Sequence, residues 1–236
     1  MTIKLLAFDI DNTLAKINEP ILDETVQALR DFEKQGLTIA FVSGKPAIYI
    51  AGLVRQVGLD NPVIIGENGL STYYGCGVPP KKILENDTVT ERDRELLLDV
   101  RKKLTDEYGE RIWFQPNEVS VTIFPKDMGE IGMMKETVEA LFRSQAVSDA
   151  LVFYTHADSI DIAPKLVNKG EAVKALLKEE GWTADEMIAV GDGENDIPTF
   201  ELAGTSVGVD FKGDFEVDRN AGDIHEALDY VRDVVK

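Results

Sequence analysis

The first third of the chain alternates between continuous apolar runs and stretches with apolar residues at helical spacing. Residues 3–9, 37–43 and 62–66 are short apolar runs, and these predict buried strands. Residues 21–36 and 46–58 have the helical spacing, and both stretches end at a glycine, as helices commonly do. Apolar strands that alternate with helices are typical of a parallel sheet with helices on both faces. The pattern therefore predicts a doubly wound α/β fold.

The last third of the chain returns to the same alternation. It predicts a helix at 168–181, a strand at 186–192, a short helix at 195–204, a strand at 205–209 and a closing helix at 221–236. These strands can extend the sheet that the first third begins. We therefore expect residues 1–73 and 165–236 to form one core domain with a mostly parallel, Rossmann-like sheet.

The middle of the chain has a different order of elements, αββαββ. The pattern predicts helices at 90–109 and 128–145, and strands at 111–115, 119–125, 151–155 and 159–164. Such a duplicated unit typically makes an antiparallel sheet with helices on one face. We expect residues 74–164 to be an α+β domain inserted into the core, with glycines and prolines at 75–80 and Pro164 at its two boundaries.

Composition narrows the classes of function. The chain has 236 residues, 25 basic and 43 acidic, for a net charge of -18, which disfavours nucleic acid and anionic membranes as partners. It has no apolar run of about 18 residues and no signal-peptide pattern, and its one cysteine excludes an internal disulfide. We therefore expect a cytoplasmic protein, and the pattern specifies no oligomeric state. Its two histidines lie far apart in sequence, which disfavours a histidine nucleophile or a multi-histidine zinc site.

Polar side chains follow several of the predicted core strands. They are Asp9 and Asp11 after the first strand, Ser43, which precedes Gly44, after the second, and Asp192, Asn195 and Asp196 after the strand at 186–192. Lys169 stands at the start of the helix that leads into that last strand. Because ligands of a parallel α/β sheet bind beyond the carboxyl ends of the strands, we expect these side chains to meet in one site.

Four carboxylates in one site cannot all stay ionised unless a cation lies among them. Mg²⁺ is commonly held by carboxylates and keeps water positions for substrate phosphate, so we expect Mg²⁺ and a small phosphorylated substrate. A carboxylate can attack phosphorus to give an aspartyl-phosphate. A lysine and a hydroxyl would then stabilise the charge on the transferring phosphoryl group.

Four short motifs together resemble the haloacid dehalogenase-like superfamily. FDIDNTLA (8–15) resembles its first motif, D-x-D-x-T, and FVSGK (41–45), NKG (168–170) and GDGEND (191–196) resemble its second, third and fourth motifs. The insert between the second and third motifs is similar to the cap domain of the Cof-type, class IIB branch. Within that branch, the length and compact cap look most like archaeal-type phosphoglycolate phosphatases. The resemblance implies a Mg²⁺-dependent phosphatase, with 2-phosphoglycolate as the expected substrate.

The resemblance also implies roles for the acidic residues and the lysine. Asp9 would be the nucleophile and a Mg²⁺ ligand. Asp11 would be the general acid and base, and its backbone carbonyl would bind Mg²⁺. Asp192 would bind Mg²⁺ directly, and Asp196 would be a ligand or lie behind the ligands. Lys169 would offset the charge of nucleophile and phosphate.

The remaining motif residues would bind the phosphate or orient the groups that contact it. Thr13 and Ser43, with Gly44, would hold the loop and the phosphoryl oxygens, and Asn195 would orient Lys169 or the phosphate. Asn12 stands where the family usually has glycine. Because asparagine tolerates a left-handed backbone, we expect the loop to be kept and the Asn12 N–H to face the phosphate.

Other interpretations stay open. Ser43 can instead cap the helix at 46–58, Asp196 can instead cap a helix, and the turn at 66–69 can face the site or simply reverse the chain. Alternative substrates are a sugar phosphate, sucrose phosphate or mannosyl-phosphoglycerate. Alternative functions are a phosphomutase, a receiver-type phospho-accepting module, or a silent binding protein on the same fold.

Overall fold

The computed structural model describes residues 2–236, apart from the side chain of Glu85. It has two compact units: one contains the chain up to Glu85 together with Asn168–Lys236, and the other contains Asn86–Val167. The first unit is built on a mainly parallel sheet, and the second has its own antiparallel sheet. The predicted α/β class with an α+β insert is thus confirmed.

The sheet of the first unit has eight strands, numbered along the whole chain. They are β1 (Leu5–Phe8), β2 (Thr38–Val42), β3 (Val63–Gly66), β4 (Ser71–Tyr74), β5 (Lys82–Glu85), β10 (Met187–Gly191), β11 (Thr205–Val209) and β12 (Arg219–Ala221). Their spatial order is β12-β11-β10-β1-β2-β3-β4-β5. The pairs from β12 to β3 are parallel, and β4 and β5 continue the sheet as antiparallel strands. β1 therefore lies in the middle of the parallel part.

Helices cover both faces of this sheet. They are α1 (Asp23–Lys34), α2 (Ala47–Val57), α6 (Lys169–Glu180), α7 (Ile197–Leu202) and α8 (Ile224–Val234). Successive residues of β1 point to opposite faces, so that Leu6 and Phe8 join one apolar core while Leu5 and Ala7 join the other. α1, α2 and α8 pack on the first core, and α6 and α7 on the second. This two-sided burial explains why the core strands read as continuous apolar runs.

The second unit is a four-stranded antiparallel sheet with helices. Its strands are β6 (Ile112–Phe114), β7 (Val121–Pro125), β8 (Leu151–Thr155) and β9 (Ile160–Pro164), in the spatial order β6-β7-β9-β8. Its helices are α3 (Glu91–Tyr108), α4 (Ile131–Leu141) and α5 (Gln145–Ala150). Alternate strand residues such as Val121 and Ile123 are buried with Leu104 and Val138 in one apolar core.

Four elements, β4, β5, β12 and α5, were missing from the sequence-based prediction. β4 and β5 form a hairpin at the end of the core sheet, and the glycines and prolines at 75–80 are its connection rather than a domain boundary. β12 is short and mostly exposed, so it has no apolar run. α5 is separate from α4, although one helix at 128–145 was predicted. The assignment of 74–164 as a cap domain stays a prediction, and the second compact unit begins later, at Asn86.

None of the helices within 2–236 combines the length and the hydropathy that a membrane span requires. The longest, α3, has charged residues along most of its 18 positions.

Candidate active site

The site forms where the parallel strands end. Phe8, the last residue of β1, is in register with Val190 of β10 on one side and with Phe41 of β2 on the other. Asp9 follows Phe8 directly, and its N–H donates to the Val190 carbonyl (2.9 Å). The loops that follow β1, β2 and β10 therefore begin side by side at one edge of the sheet, as predicted.

Lys169 lies between two carboxylates. Its Nζ donates to Oδ1 of Asp9 (2.6 Å) and to Oδ1 of Asp196 (2.7 Å), and only 1% of its side chain is exposed. Lys169 is the first residue of α6, which Asn168 caps by accepting the Glu171 N–H. Since the positive end of a helix disfavours a cation, these carboxylates compensate for the position of Lys169.

Close packing between α6 and α7 keeps this lysine near Asp196. A Cβ on Gly170 would lie 2.3 Å from the Pro198 carbonyl oxygen, so only glycine allows this approach. The NKG sequence thus supplies a helix cap, a cation and a residue small enough for the contact.

Asp196 holds the loop that follows β10. Its Oδ2 accepts the N–H groups of Asp192 and Gly193 (3.0 Å each), while its Oδ1 is bound to Lys169. Asp196 does cap a helical turn, because its side chain accepts the Gly193 N–H at the start of the short 3-10 helix Glu194–Asp196, but it makes no side-chain cap bond to α7.

Three carboxylates come close enough to share a metal ion. Asp9, Asp192 and Asp196 each offer an oxygen, and these oxygens lie within 4.8 Å of one another. Thr13, which is buried, donates its hydroxyl to Oδ1 of Asp192 (3.1 Å) and so orients that carboxylate. All four side chains were predicted to belong to one site, and the structure brings them together.

The electrostatics of this cluster favour a further cation. Burial is the main reason that the pKa of Asp9 rises to about 7, and the carboxylates of Asp196 and Asp192 also raise it, against the ammonium of Lys169. Burial and Asp196 raise the pKa of Asp192 as well. Burial works to lower the pKa of Lys169, but Asp196 and Asp9 outweigh it and raise that pKa. One ammonium therefore does not neutralise three carboxylates, and a divalent cation would let all of them ionise.

Asp11 has a different partner. Its Oδ2 lies 2.7 Å from Nζ of Lys45, and both side chains are about one-third exposed. Lys45 was not among the predicted site residues. The signal was present in the sequence, because Lys45 ends the FVSGK motif and follows Ser43 by only two residues.

Ser43 does not cap a helix. α2 begins after Pro46 without a side-chain cap, and the buried Ser43 hydroxyl instead accepts the Lys45 N–H (3.3 Å). Ser43 and Gly44 do lie at the same sheet edge as Asp9, because they follow β2 directly. The capping alternative for Ser43 is therefore wrong.

Asn12 differs from the prediction in the direction of its N–H, and the role of Asn195 toward a phosphate stays a prediction. Asn12 has the expected left-handed backbone, with φ of 62°, but its N–H donates to the Ala15 carbonyl (2.6 Å) and is therefore not directed at a phosphate. Asn195 is exposed, and the ammonium of Lys169 donates to Asp9 and Asp196 rather than to its side chain.

A cavity of about 800 Å³ adjoins the carboxylate cluster of Asp9, Asp192 and Asp196 within the first unit. Thr13 and Asp192 line it, together with Asn12 and Gly193. The cavity gives water and small molecules access to the Asp192 side of the cluster.

Comparison with known proteins agrees with the geometry. A family model described as haloacid dehalogenase-like hydrolase matches residues 6–123 and 101–214. A phosphoglycolate phosphatase of Staphylothermus marinus is 30% identical over 199 residues, which cover 80% of this chain and 78% of the relative. A phosphoglycolate phosphatase of Thermoplasma volcanium is 28% identical over 200 residues, covering 85% and 82%. The crystal structure of a haloacid dehalogenase-like hydrolase from Bacteroides thetaiotaomicron has the same fold, with a TM-score of 0.77 at 17% identity over 99% of this chain and all of that chain.

Proposed function

This chain belongs to the haloacid dehalogenase-like hydrolase family and is a phosphatase, and we propose that it hydrolyses a small phosphate monoester with Mg²⁺, through an aspartyl-phosphate on Asp9. The observation that carries the proposal is the buried Lys169, which joins Asp9 to Asp196 beside Asp192. A nucleophilic carboxylate needs a cationic partner that holds it ionised and aligned, and Lys169 is bonded to Asp9 at 2.6 Å.

The reaction has two steps in this proposal. In the first, an Asp9 oxygen attacks phosphorus, the bond from phosphorus to the ester oxygen breaks, and Asp11 gives its proton to the departing oxygen. In the second, Asp11 takes a proton from water, the water oxygen attacks phosphorus, and the bond between phosphorus and Asp9 breaks. Lys169 stays protonated throughout, since its carboxylate partners raise its pKa.

The residues present fit a hard divalent cation. The cluster offers only carboxylate oxygens, which are the ligands that Mg²⁺ prefers. Asp9 and Asp192 would hold the ion, with the backbone carbonyl of Asp11, while Asp196 lies behind them because both of its oxygens already accept hydrogen bonds. A bound Mg²⁺ would neutralise these carboxylates and polarise a phosphoryl oxygen.

The favoured substrate is 2-phosphoglycolate. Two relatives at 30% and 28% identity are phosphoglycolate phosphatases, and each alignment covers about four-fifths of this chain. Sugar phosphates, sucrose phosphate and mannosyl-phosphoglycerate are the competing substrates. The assignment of residues 74–164 as a cap domain remains a proposal, and so does a cytoplasmic location.

The test is phosphate release from a panel of esters by the purified protein. We expect release from an aryl phosphate and from 2-phosphoglycolate with Mg²⁺, and no release in EDTA. The highest kcat/KM should be for 2-phosphoglycolate. A higher kcat/KM for a sugar phosphate would identify that sugar phosphate as the better substrate. Full activity in EDTA would show that the reaction does not need a metal ion. Phosphate that moves to a second sugar instead of to water would identify a phosphomutase.

A further inference from the structure

Lys45 forms an ion pair with the residue that the proposed reaction uses to move protons. We propose that Lys45 is a positioning residue that holds one oxygen of Asp11, and that the left-handed turn at Glu67 and Asn68 keeps Lys45 in place. This inference rests on the proposed function, because it assigns a purpose to Asp11 in phosphoryl transfer.

The Lys45 contact distinguishes the two oxygens of Asp11. Nζ of Lys45 lies 2.7 Å from Oδ2 of Asp11, so this oxygen is occupied as an acceptor. A neutral carboxyl group can accept at one oxygen and donate from the other, and an ionised one can accept at both. The same contact with Lys45 therefore persists through both steps of the reaction. Oδ1 is left to give a proton to the departing oxygen in the first step and to take one from water in the second.

This ion pair differs in kind from the surface pairs of the same protein. Lys174 pairs with Glu171 three residues earlier on α6, and both side chains are more than half exposed. Such pairs contribute little and depend on no other element. Lys45 and Asp11 instead join the loops that follow two neighbouring strands, β2 and β1.

Backbone hydrogen bonds fix the loop that carries Lys45. The Glu67 N–H donates to the Lys45 carbonyl and the Asn68 N–H donates to the Ser43 carbonyl, both at 2.9 Å. The Ser43 hydroxyl accepts the Lys45 N–H at 3.3 Å, which tightens the same loop. The position of Lys45 thus depends on the turn that follows β3.

That turn has an unusual backbone. Glu67 and Asn68 have φ of 50° and 55°, a left-handed conformation that non-glycine residues rarely adopt and almost never in succession. Residues in such conformations persist only where the surroundings support them, and they cluster at functional sites. Both residues of this strained pair donate a backbone hydrogen bond to the loop that carries Lys45. We therefore interpret the strained backbone as a support for the position of Lys45.

The test compares esters whose leaving groups differ in basicity. A dinitrophenolate leaves without a proton, whereas the alkoxide of an alkyl phosphate needs one, so only the second reaction depends on a well-placed general acid. We expect Lys45→Met to lower kcat/KM for 2-phosphoglycolate or another alkyl phosphate by roughly tenfold to a hundredfold. The loss for dinitrophenyl phosphate should be several times smaller, and Lys45→Arg should restore part of the alkyl phosphate activity because it keeps the donor.

Lys174→Met is the matched control, because it removes an exposed lysine from an ion pair outside the site. This variant should have the same kcat/KM as wild type for both esters. Equal losses by Lys45→Met for both esters would overturn the inference while leaving the proposed function intact, as would a rise in KM alone for esters that carry a second anionic group. Wild-type protein that released phosphate from no ester would overturn the proposed function and this inference together.

The supporting turn has its own variants. Asn68→Gly keeps the left-handed backbone available, whereas Asn68→Val makes it costly. We expect Asn68→Val to lower kcat/KM for alkyl phosphates selectively, as Lys45→Met does. Asn68→Gly should keep nearly full activity. Equal activity of the two variants on both esters would show that the turn does not position Lys45.

Discussion

At the scale of single residues, the central feature is a buried lysine with two buried carboxylates. An ion pair removed from water is weak evidence for stability, because desolvation of the charges offsets much of their attraction. Lys169 does not fully offset the cost of burying the charge of Asp9, since burial, together with the carboxylates of Asp196 and Asp192, still raises the pKa of Asp9 to about 7. An arrangement in which burial disfavours the ionised carboxylate is better explained as a site for a cation and an anionic substrate than as a stabilising contact.

This imbalance predicts how stability depends on pH and metal. Because the pKa of Asp9 is higher in the folded protein than in the unfolded chain, the folded state holds an extra proton between about pH 4 and pH 7. The contribution of Asp9 to stability therefore falls as the pH rises through this range. In EDTA, we expect the unfolding temperature of wild-type protein to fall more steeply over that range than that of Asp9→Asn.

Added Mg²⁺ should reverse the loss, because it binds the ionised carboxylate and displaces the proton. We expect the Mg²⁺-induced rise in unfolding temperature to be larger at about pH 8 than at about pH 5, when measured by differential scanning fluorimetry. Asp99→Asn, which changes an exposed carboxylate on α3, is the control and should behave like wild type. A rise that is the same at both pH values would contradict the raised pKa of Asp9.

At the scale of elements, the site depends on close contacts that only glycine permits. Gly191, the last residue of β10, lies against the Asp196 side chain, and a Cβ there would be 2.4 Å from its Cγ. Asp196 in turn holds the N–H groups of Asp192 and Gly193. The strand end, the loop and Lys169 are thus linked through one carboxylate.

Gly191→Ala should break this linkage. The added methyl group would displace Asp196, which would free the loop and remove one partner of Lys169. We expect kcat/KM to fall by at least roughly tenfold, measured with an aryl phosphate and Mg²⁺. Gly132→Ala on α4 is the matched control, because a Cβ there would have no atom within 4 Å apart from its chain neighbours and the backbone of its own helix, and it should leave activity unchanged. A fully active Gly191→Ala protein would show that the Asp196 contacts are not needed.

At the scale of the whole molecule, the sequence predicted the core sheet and most of the cluster. Strands buried on both faces have a strong apolar signal, and the polar residues that follow them are forced to one edge of a parallel sheet. Strand direction predicts that Asp9, Asp192 and Asp196 lie at this edge, and the helix that leads into β10 places Lys169 beside them. Thr13 belongs to the predicted site through the resemblance to the family's first motif.

The features that the sequence did not predict depend on contacts that the motifs do not specify. The β4–β5 hairpin lacks a long apolar run, and its place is set by pairing with β3. Asp11 pairs with Lys45, which lies in the loop after β2, and the Asn12 N–H donates a hydrogen bond within its own turn, to the Ala15 carbonyl. Neither the spacing of the motifs nor the resemblance to a family contains this information.

The net charge of -18 makes the few cations of the site important for binding an anionic substrate. A protein this acidic repels phosphate esters over most of its surface, so binding requires local positive charge. Lys169, Lys45 and a bound divalent ion are the cations that the proposed reaction provides. The central claim is that their combined effect lets one carboxylate, Asp9, attack phosphorus.

The most direct measurement of this claim is the site of phosphorylation during turnover. Wild-type protein and Asp11→Asn would be mixed with an aryl phosphate and Mg²⁺, quenched rapidly in acid, digested and analysed by mass spectrometry. We expect at most one phosphoryl group per chain, on Asp9, at a higher occupancy in Asp11→Asn because the second step is slowed, and none in Asp9→Asn or in EDTA. A phosphoryl group on another residue, or full turnover by folded Asp9→Asn protein, would contradict the assignment of Asp9 as the nucleophile.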